Sequence, residues 1–94
     1  MEFKYGDKCI YYGDSPEEFK AIIDYKPVEG KENVMDCYHT EVKKELGGQG
    51  VAGKLVDELA ERARKENFKV LPTCSYAKAK MEKDEKYKDV LYQE

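Results

Sequence analysis

Tryptophan is absent, histidine occurs once, and neither sign of charge dominates the chain. The single His39 and the scattered thiols Cys9, Cys37 and Cys74 do not supply a zinc-ligand spacing, so no metal site is expected. An odd number of widely spaced cysteines also excludes a disulfide framework and predicts free thiols. No apolar run approaches the roughly 18 residues that span a bilayer, and residues 1–13 lack a signal-peptide pattern. The expectation is a soluble, cytoplasmic protein with no membrane partner. With 17 basic against 20 acidic residues the net charge is −3. Such a chain lacks the concentrated basic face that phosphate backbones require, and nucleic acid is not an expected partner. Internal repeats and low-complexity tracts are missing as well.

What is present fits one domain over residues 1–94, with one thin core, since a chain of this size buries only about 60 to 65% of its unfolded surface. Eight tyrosines against three phenylalanines suit that core, because each ring packs while its hydroxyl stays polar. From Glu2 to Glu41 the apolar residues alternate between Gly, Asp and Pro punctuation, which predicts an antiparallel meander. Its runs are Phe3 with Tyr5, then Cys9 to Tyr12, Phe19 to Tyr25, and Val34 to Val42. On the last run, period two puts Val34, Asp36, Tyr38, Thr40 and Val42 on one face and Met35, Cys37, His39 and Glu41 on the other. Tyr11, Tyr12, Tyr25 and Tyr38 read as packing residues, as do Cys9 and Cys37.

The period then changes. Val51, Leu55, Leu59 and Ala63 recur at every fourth position with Ala52, Val56 and Ala60 beside them, which predicts an amphipathic helix over residues 50–67, stopped at Asn67. Lys54, Asp57, Glu58, Glu61 and Arg62 form its opposite side. A short strand over residues 69–73 follows, confined to an edge by Pro72. Ser75 offers an N-cap for a helical segment over residues 77–83, and residues 87–92 suggest one more helical turn. The mixed charge run at residues 82–86 reads as a solvated surface.

Between the fourth strand and the long helix lie Gly47, Gly48, Gln49, Gly50, Val51, Ala52 and Gly53. Glycines here let backbone N–H groups converge on an anion at the positive end of the helix dipole, a nest suited to pyrophosphate. The turn has neither the GK[ST] ending of a P-loop nor GxGxxG, so ATP is not the first expectation. A loop that merely turns the chain remains the other reading.

At this junction the sequence resembles the GNAT superfamily of acyl-CoA N-acyltransferases, in particular its small single-domain branch. The resemblance rests on His39, Thr40, Glu41 and Val42 ahead of the Gly-rich turn, then Val51-Ala52 and Leu55-Val56. The superfamily's signature is Gln or Arg, two residues, Gly, one residue, then Gly or Ala. Gly50 and Ala52 match its last two positions, while Gly47 occupies the first and lacks a polar side chain. Downstream, Cys74-Ser75-Tyr76 with Glu82, Tyr87 and Leu91 is similar to the small branch, whose pattern commonly has Pro where Ser75 stands. The resemblance covers about residues 33–91. It implies an α/β (α+β) fold: a twisted, mostly antiparallel sheet that splays after the fourth strand, one long amphipathic helix, and a C-terminal helical segment. It implies acetyl-CoA in the opening, its pantetheine arm bonded by backbone at Thr40, Glu41 and Val42 in the manner of an added strand, and its phosphates on the Gly-rich turn. The chain is too short for covering helices between its first strands, so the acceptor site should be open or completed by a partner.

Acetyl transfer needs a nucleophile at a thioester carbonyl, a group to take its proton, and donors for the oxyanion. Cys74 and His39 are the candidates, with His39 acting as base toward Cys74 or toward an incoming amine. The alternatives are a small packing residue for Cys74 and a structural or solvent-facing imidazole for His39. The expected activity is N-acetyl transfer from acetyl-CoA to an amine, by a monomer. A non-catalytic acyl-CoA-binding or sensing module, and a small interaction protein with purely structural glycines, are the competing readings.

Overall fold

Strand follows strand through short turns in the first half of the chain. The computed structural model describes residues 1–93, with β1 at Lys4–Gly6, β2 at Cys9–Gly13, β3 at Phe19–Pro27 and β4 at Val34–Val42. The third strand runs two residues past Tyr25, where the alternation stops, because Lys26 and Pro27 pair with Asp36 and Met35 of β4. A 3-10 turn at Lys44–Leu46 leads into α1, Val51–Glu66, then β5, Lys69–Pro72, α2, Ser75–Lys83, and a second 3-10 turn, Glu85–Tyr87.

The five strands lie in chain order in one sheet. The first four form the expected antiparallel meander. The fifth returns parallel to β4 through α1, the crossover that a parallel pair requires. As Pro72 predicts, β5 is an edge strand and ends at that residue. Among the described residues, one isolated bridge, Val70 to Leu91, adds to its far side.

Both helices pack on one face of the sheet. Ile10, Ile23, Tyr25 and Cys37 from the strands meet Val51, Leu55, Val56 and Leu59 of α1 and Ala77 and Met81 of α2 in a single buried cluster. The predicted apolar stripe of α1 is the buried one. Asn67 ends the helix in the left-handed region, its N–H returning to the carbonyl of Ala63. Arg62, expected on the solvent side, instead donates from Nη1 to the carbonyls of Gly6 at 2.8 Å and Cys9 at 3.2 Å and ties α1 to the first hairpin.

Period two fails within β4. Asp24 pairs with His39 but Tyr25 pairs with Cys37, so Tyr38 is an extra residue that bulges from the ladder. Cross-strand partners share a face, and an extra residue reverses the parity of everything beyond it. Cys37 with Tyr25, and Thr40 with Ile23, therefore look toward the helices. His39 with Asp24, and Glu41 with Ile22, look the other way. The expected grouping of Cys37 with His39 and Glu41 does not form, and Thr40 does not share a face with Asp36. Tyr38 is not a packing residue: it is 45% exposed, with Lys26 Nζ 4.9 Å from its ring centre. Tyr25 does pack, stacked on Phe68.

Candidate active site

The bulge decides the site because β4 is longer on one side than on the other. Its ladder with β3 continues to Val42, paired with Ala21, whereas its ladder with β5 stops at Cys37. At that point the N–H groups of Thr73 and Cys74 both donate to the carbonyl of Cys37, each at 3.0 Å, and the chain turns away into α2. Among the described residues, no strand pairs with the second edge of β4 over residues 38–42. Thr40, Glu41 and Val42 thus lie on an open strand edge, which is what an extended ligand backbone pairs with.

The same edge runs into the Gly-rich turn. Gly48 and Gly50 have φ of 77° and 69°, and added β-carbons there would meet nothing within 4 Å. Gly50 is the N-cap of α1, and no side chain satisfies the helix end. The N–H groups of Val51, Ala52 and Gly53 have no intrahelical acceptors by helix geometry, and they carry the positive end of the dipole. Gly47 lies in extended backbone behind them, its N–H donating to the Lys44 carbonyl at 2.9 Å. Gln49 is exposed in the same turn. The residues present fit an acyl-CoA: an open strand edge for the pantetheine amides, and an uncapped helix end for the diphosphate.

Cys74 stands beside this edge. It is the N-cap of α2, so Ser75, expected in that role, is the first helical residue. Its Sγ donates to Thr40 Oγ1 at 3.5 Å. Desolvation pushes the thiol up, but the amides of Ala77 and Tyr76 in the first turn of α2 and the Thr40 hydroxyl, which turns to donate once the sulfur is ionised, outweigh it, and the net shift is downward. Cys37 behaves in the opposite way. Burial, with Cys74 and Asp36 adding to it, pushes its thiol up to about 12. Cys9 is likewise raised, mainly by burial. Of the three free thiols, Cys74 alone occupies a setting that favours thiolate.

His39 and Cys74 are not brought together. Thr40, the neighbour of Cys74, faces the helices, and His39 faces the opposite side, where its Nε2 lies 3.3 Å from Glu41 Oε1. Asp24 is its cross-strand partner, with a carboxyl raised mainly by burial and lowered in part by His39. Lys43 Nζ donates to Glu41 at 3.0 Å, and Lys43 and His39, in that order, hold the Glu41 carboxyl below its ordinary value. Among the described residues no helix packs on this face. Two further elements of the site escaped the sequence reading. Thr40 was expected to contribute backbone only, yet its hydroxyl is the partner of Cys74. Tyr76 and Lys80 of α2 reach the N-terminal turn of α1, and only their i,i+4 spacing hinted that they share a face.

The comparisons agree with this geometry. The family model described as GCN5-related N-acetyl-transferase matches residues 10–90. The solution NMR structure of a GCN5-like N-acetyltransferase candidate from Staphylococcus aureus is 40% identical, covers 99% of this chain and 89% of its own, and superimposes with a TM-score of 0.79. A crystal structure of a GNAT-family acetyltransferase candidate from Desulfovibrio desulfuricans, 15% identical, covers 68% of this chain and 41% of its own with a TM-score of 0.57, and it supports the fold alone. No curated protein matches the chain. The uncapped α1 turn beside an open strand edge thus stands within a family match over most of the chain: the protein belongs to the GCN5-related N-acetyltransferase family.

Proposed function

We propose that this chain binds acetyl-CoA and transfers the acetyl group to an amine, with Cys74 acting at the thioester and His39 on the acceptor side. The observation that carries the reading is the release of β4 from β5 after Cys37, which leaves an open strand edge leading to an uncapped helix end. When bound, acetyl-CoA supplies an activated acyl group. Thr40, Glu41 and Val42 bond its pantetheine arm through the backbone, and the amides of residues 48–53 receive its diphosphate, with Gly47 shaping the turn behind them. The thiolate-favouring surroundings of Cys74 support it as the nucleophile: its Sγ bonds to the acetyl carbon as the bond to the CoA sulfur breaks and CoA leaves as the thiolate, and the amine then takes the acetyl group and frees Sγ. His39, backed by Glu41, takes the proton of an amine that approaches from the helix-free face. This division replaces the His39 to Cys74 pairing, since the bulge at Tyr38 separates the two. We take the acceptor to be a small amine or a protein amine met on an open surface, and the protein to act as a monomer.

An amide NMR titration with acetyl-CoA, followed by intact mass of the same sample and turnover with an amine panel, tests the proposal. Shifts concentrated at residues 40–53 and around residue 74, with an acetyl adduct on Cys74, are expected. Cys74→Ala should bind acetyl-CoA as before and lose transfer by about 100-fold or more. Shifts without turnover for any amine would leave a binding module, and no shifts at millimolar ligand would end the reading.

A further inference from the structure

The phosphate-binding turn has a charge problem. An acyl-CoA brings a diphosphate to a loop, residues 47–53, that contains no cationic side chain. The glycine at position 47 contributes none, and dipole and amides alone hold a doubly charged group weakly in water. Lys54 follows the turn on α1, and a second cation reaches it from another element. A β-carbon placed on Gly53 would lie 3.2 Å from Lys80 Cε, 3.4 Å from Lys80 Nζ and 3.4 Å from the Tyr76 hydroxyl. Both residues belong to α2, and their i,i+4 spacing puts ammonium and hydroxyl on one helix face. Gly53 is the position whose missing side chain lets them approach.

Lys80 is held there without being neutralised. It is half-buried, its Nζ lies 5.9 Å from the centre of the Tyr87 ring, and no carboxylate among the described residues pairs with it. Beside it opens a cavity of about 560 Å³ lined by Tyr76, Ala79, Lys80, Lys83, Asp84 and Glu85. Asp84 and Glu85 repel phosphate while Lys80 and Lys83 attract it, so an anion belongs beside the lysines.

We propose that Lys80, with the Tyr76 hydroxyl, clamps the diphosphate of the acyl-CoA from α2 and supplies the charge that the Gly-rich turn lacks. This inference rests on the acetyl-CoA reading above and deepens it. It makes the chain selective for phosphate-bearing acyl thioesters over the bare acyl-pantetheine arm.

NMR titrations of the wild-type chain, Lys80→Gln, Lys80→Arg and Tyr76→Phe with acetyl-CoA and with S-acetylpantetheine, which has no phosphate, test it. Lys80→Gln should weaken acetyl-CoA binding by about tenfold or more while leaving S-acetylpantetheine unchanged, and Lys80→Arg should retain most of the affinity. Tyr76→Phe should show a smaller loss confined to acetyl-CoA. Native-like amide spectra of the free variants will confirm that the fold is kept. Equal affinity of Lys80→Gln and wild type for acetyl-CoA, or equal losses for both probes, would overturn the clamp and leave the acetyl-CoA reading standing. Failure of the wild-type chain to bind acetyl-CoA would overturn both.

Discussion

Three cysteines with the same side chain differ in chemistry because of where the backbone places them. Cys9 and Cys37 are 4% and 0% exposed, and burial raises both. Cys74, half-buried at the start of α2, is lowered by amides and a hydroxyl that outweigh its desolvation. Thiolate is the reactive form, so alkylation should follow thiolate fraction and access. Iodoacetamide at neutral to mildly alkaline pH should label Cys74 first, with the midpoint of its rate against pH below the ordinary thiol value of 9.0. Peptide mapping after short exposures checks this. Labelling of Cys37 or Cys9 ahead of Cys74 would contradict the electrostatic argument. Thr40→Val should slow Cys74 labelling by removing one of the stabilising hydrogen bonds.

At the scale of elements, two local devices build the cleft. The bulge at Tyr38 reverses the faces of β4, and the left-handed glycines carry the chain from that strand into α1. Gly50 has a φ of 69° with open space around it, so its substitution is opposed by backbone strain and by no clash. Gly50→Ala should therefore cost about 1 to 2 kcal/mol of stability. It should also weaken acetyl-CoA binding by more than it weakens the fold, because the amides of Val51, Ala52 and Gly53 would be re-aimed. Denaturant melts and titrations on the same variant separate the two effects. Most of the elements were legible in the residues. The ends of β4 match the apolar run at Val34 to Val42, α1 follows its fourfold stripe, and Pro72 stops β5. The bulge was illegible, since nothing in the run from Val34 to Val42 marks which residue will be left out of the ladder. That choice depends on how β3, carrying Tyr25 into the core against Phe68, meets β4.

For the whole molecule, tyrosine takes over the work that tryptophan and phenylalanine do in larger cores. Tyr25 is pushed up to about 12 by burial first, with nearby Arg62 opposing the rise. Tyr5 is also pushed up to about 12, chiefly by its hydrogen bond to Glu58 at 2.6 Å. A folded-state value raised above the ordinary 10.0 means that the neutral ring is favoured by folding. The associated stability is fully present below about pH 10, declines above it, and is lost as pH passes through about 12. Denaturant midpoints measured from about pH 8 to pH 11 should fall, and Tyr25→Phe, which keeps the packing and removes the titrating group, should fall less steeply. Parallel slopes for the two proteins would show that Tyr25 is not among the groups responsible.

The order of elements, the meander, the amphipathic helix and the glycine turn all follow from periodicities and turn residues, because each is a contest between neighbours a few positions apart. The residues that meet across the cleft are a different matter. His39 beside Glu41 follows from period two alone, but Cys74 beside Thr40 and Lys80 over Gly53 depend on one extra residue in a strand and on how α2 docks against α1. Such contacts join positions dozens of residues apart, and a shift of a single residue in register exchanges the two faces of a strand. Local patterns are blind to that shift, so only the packed sheet decided which side chains share the cleft.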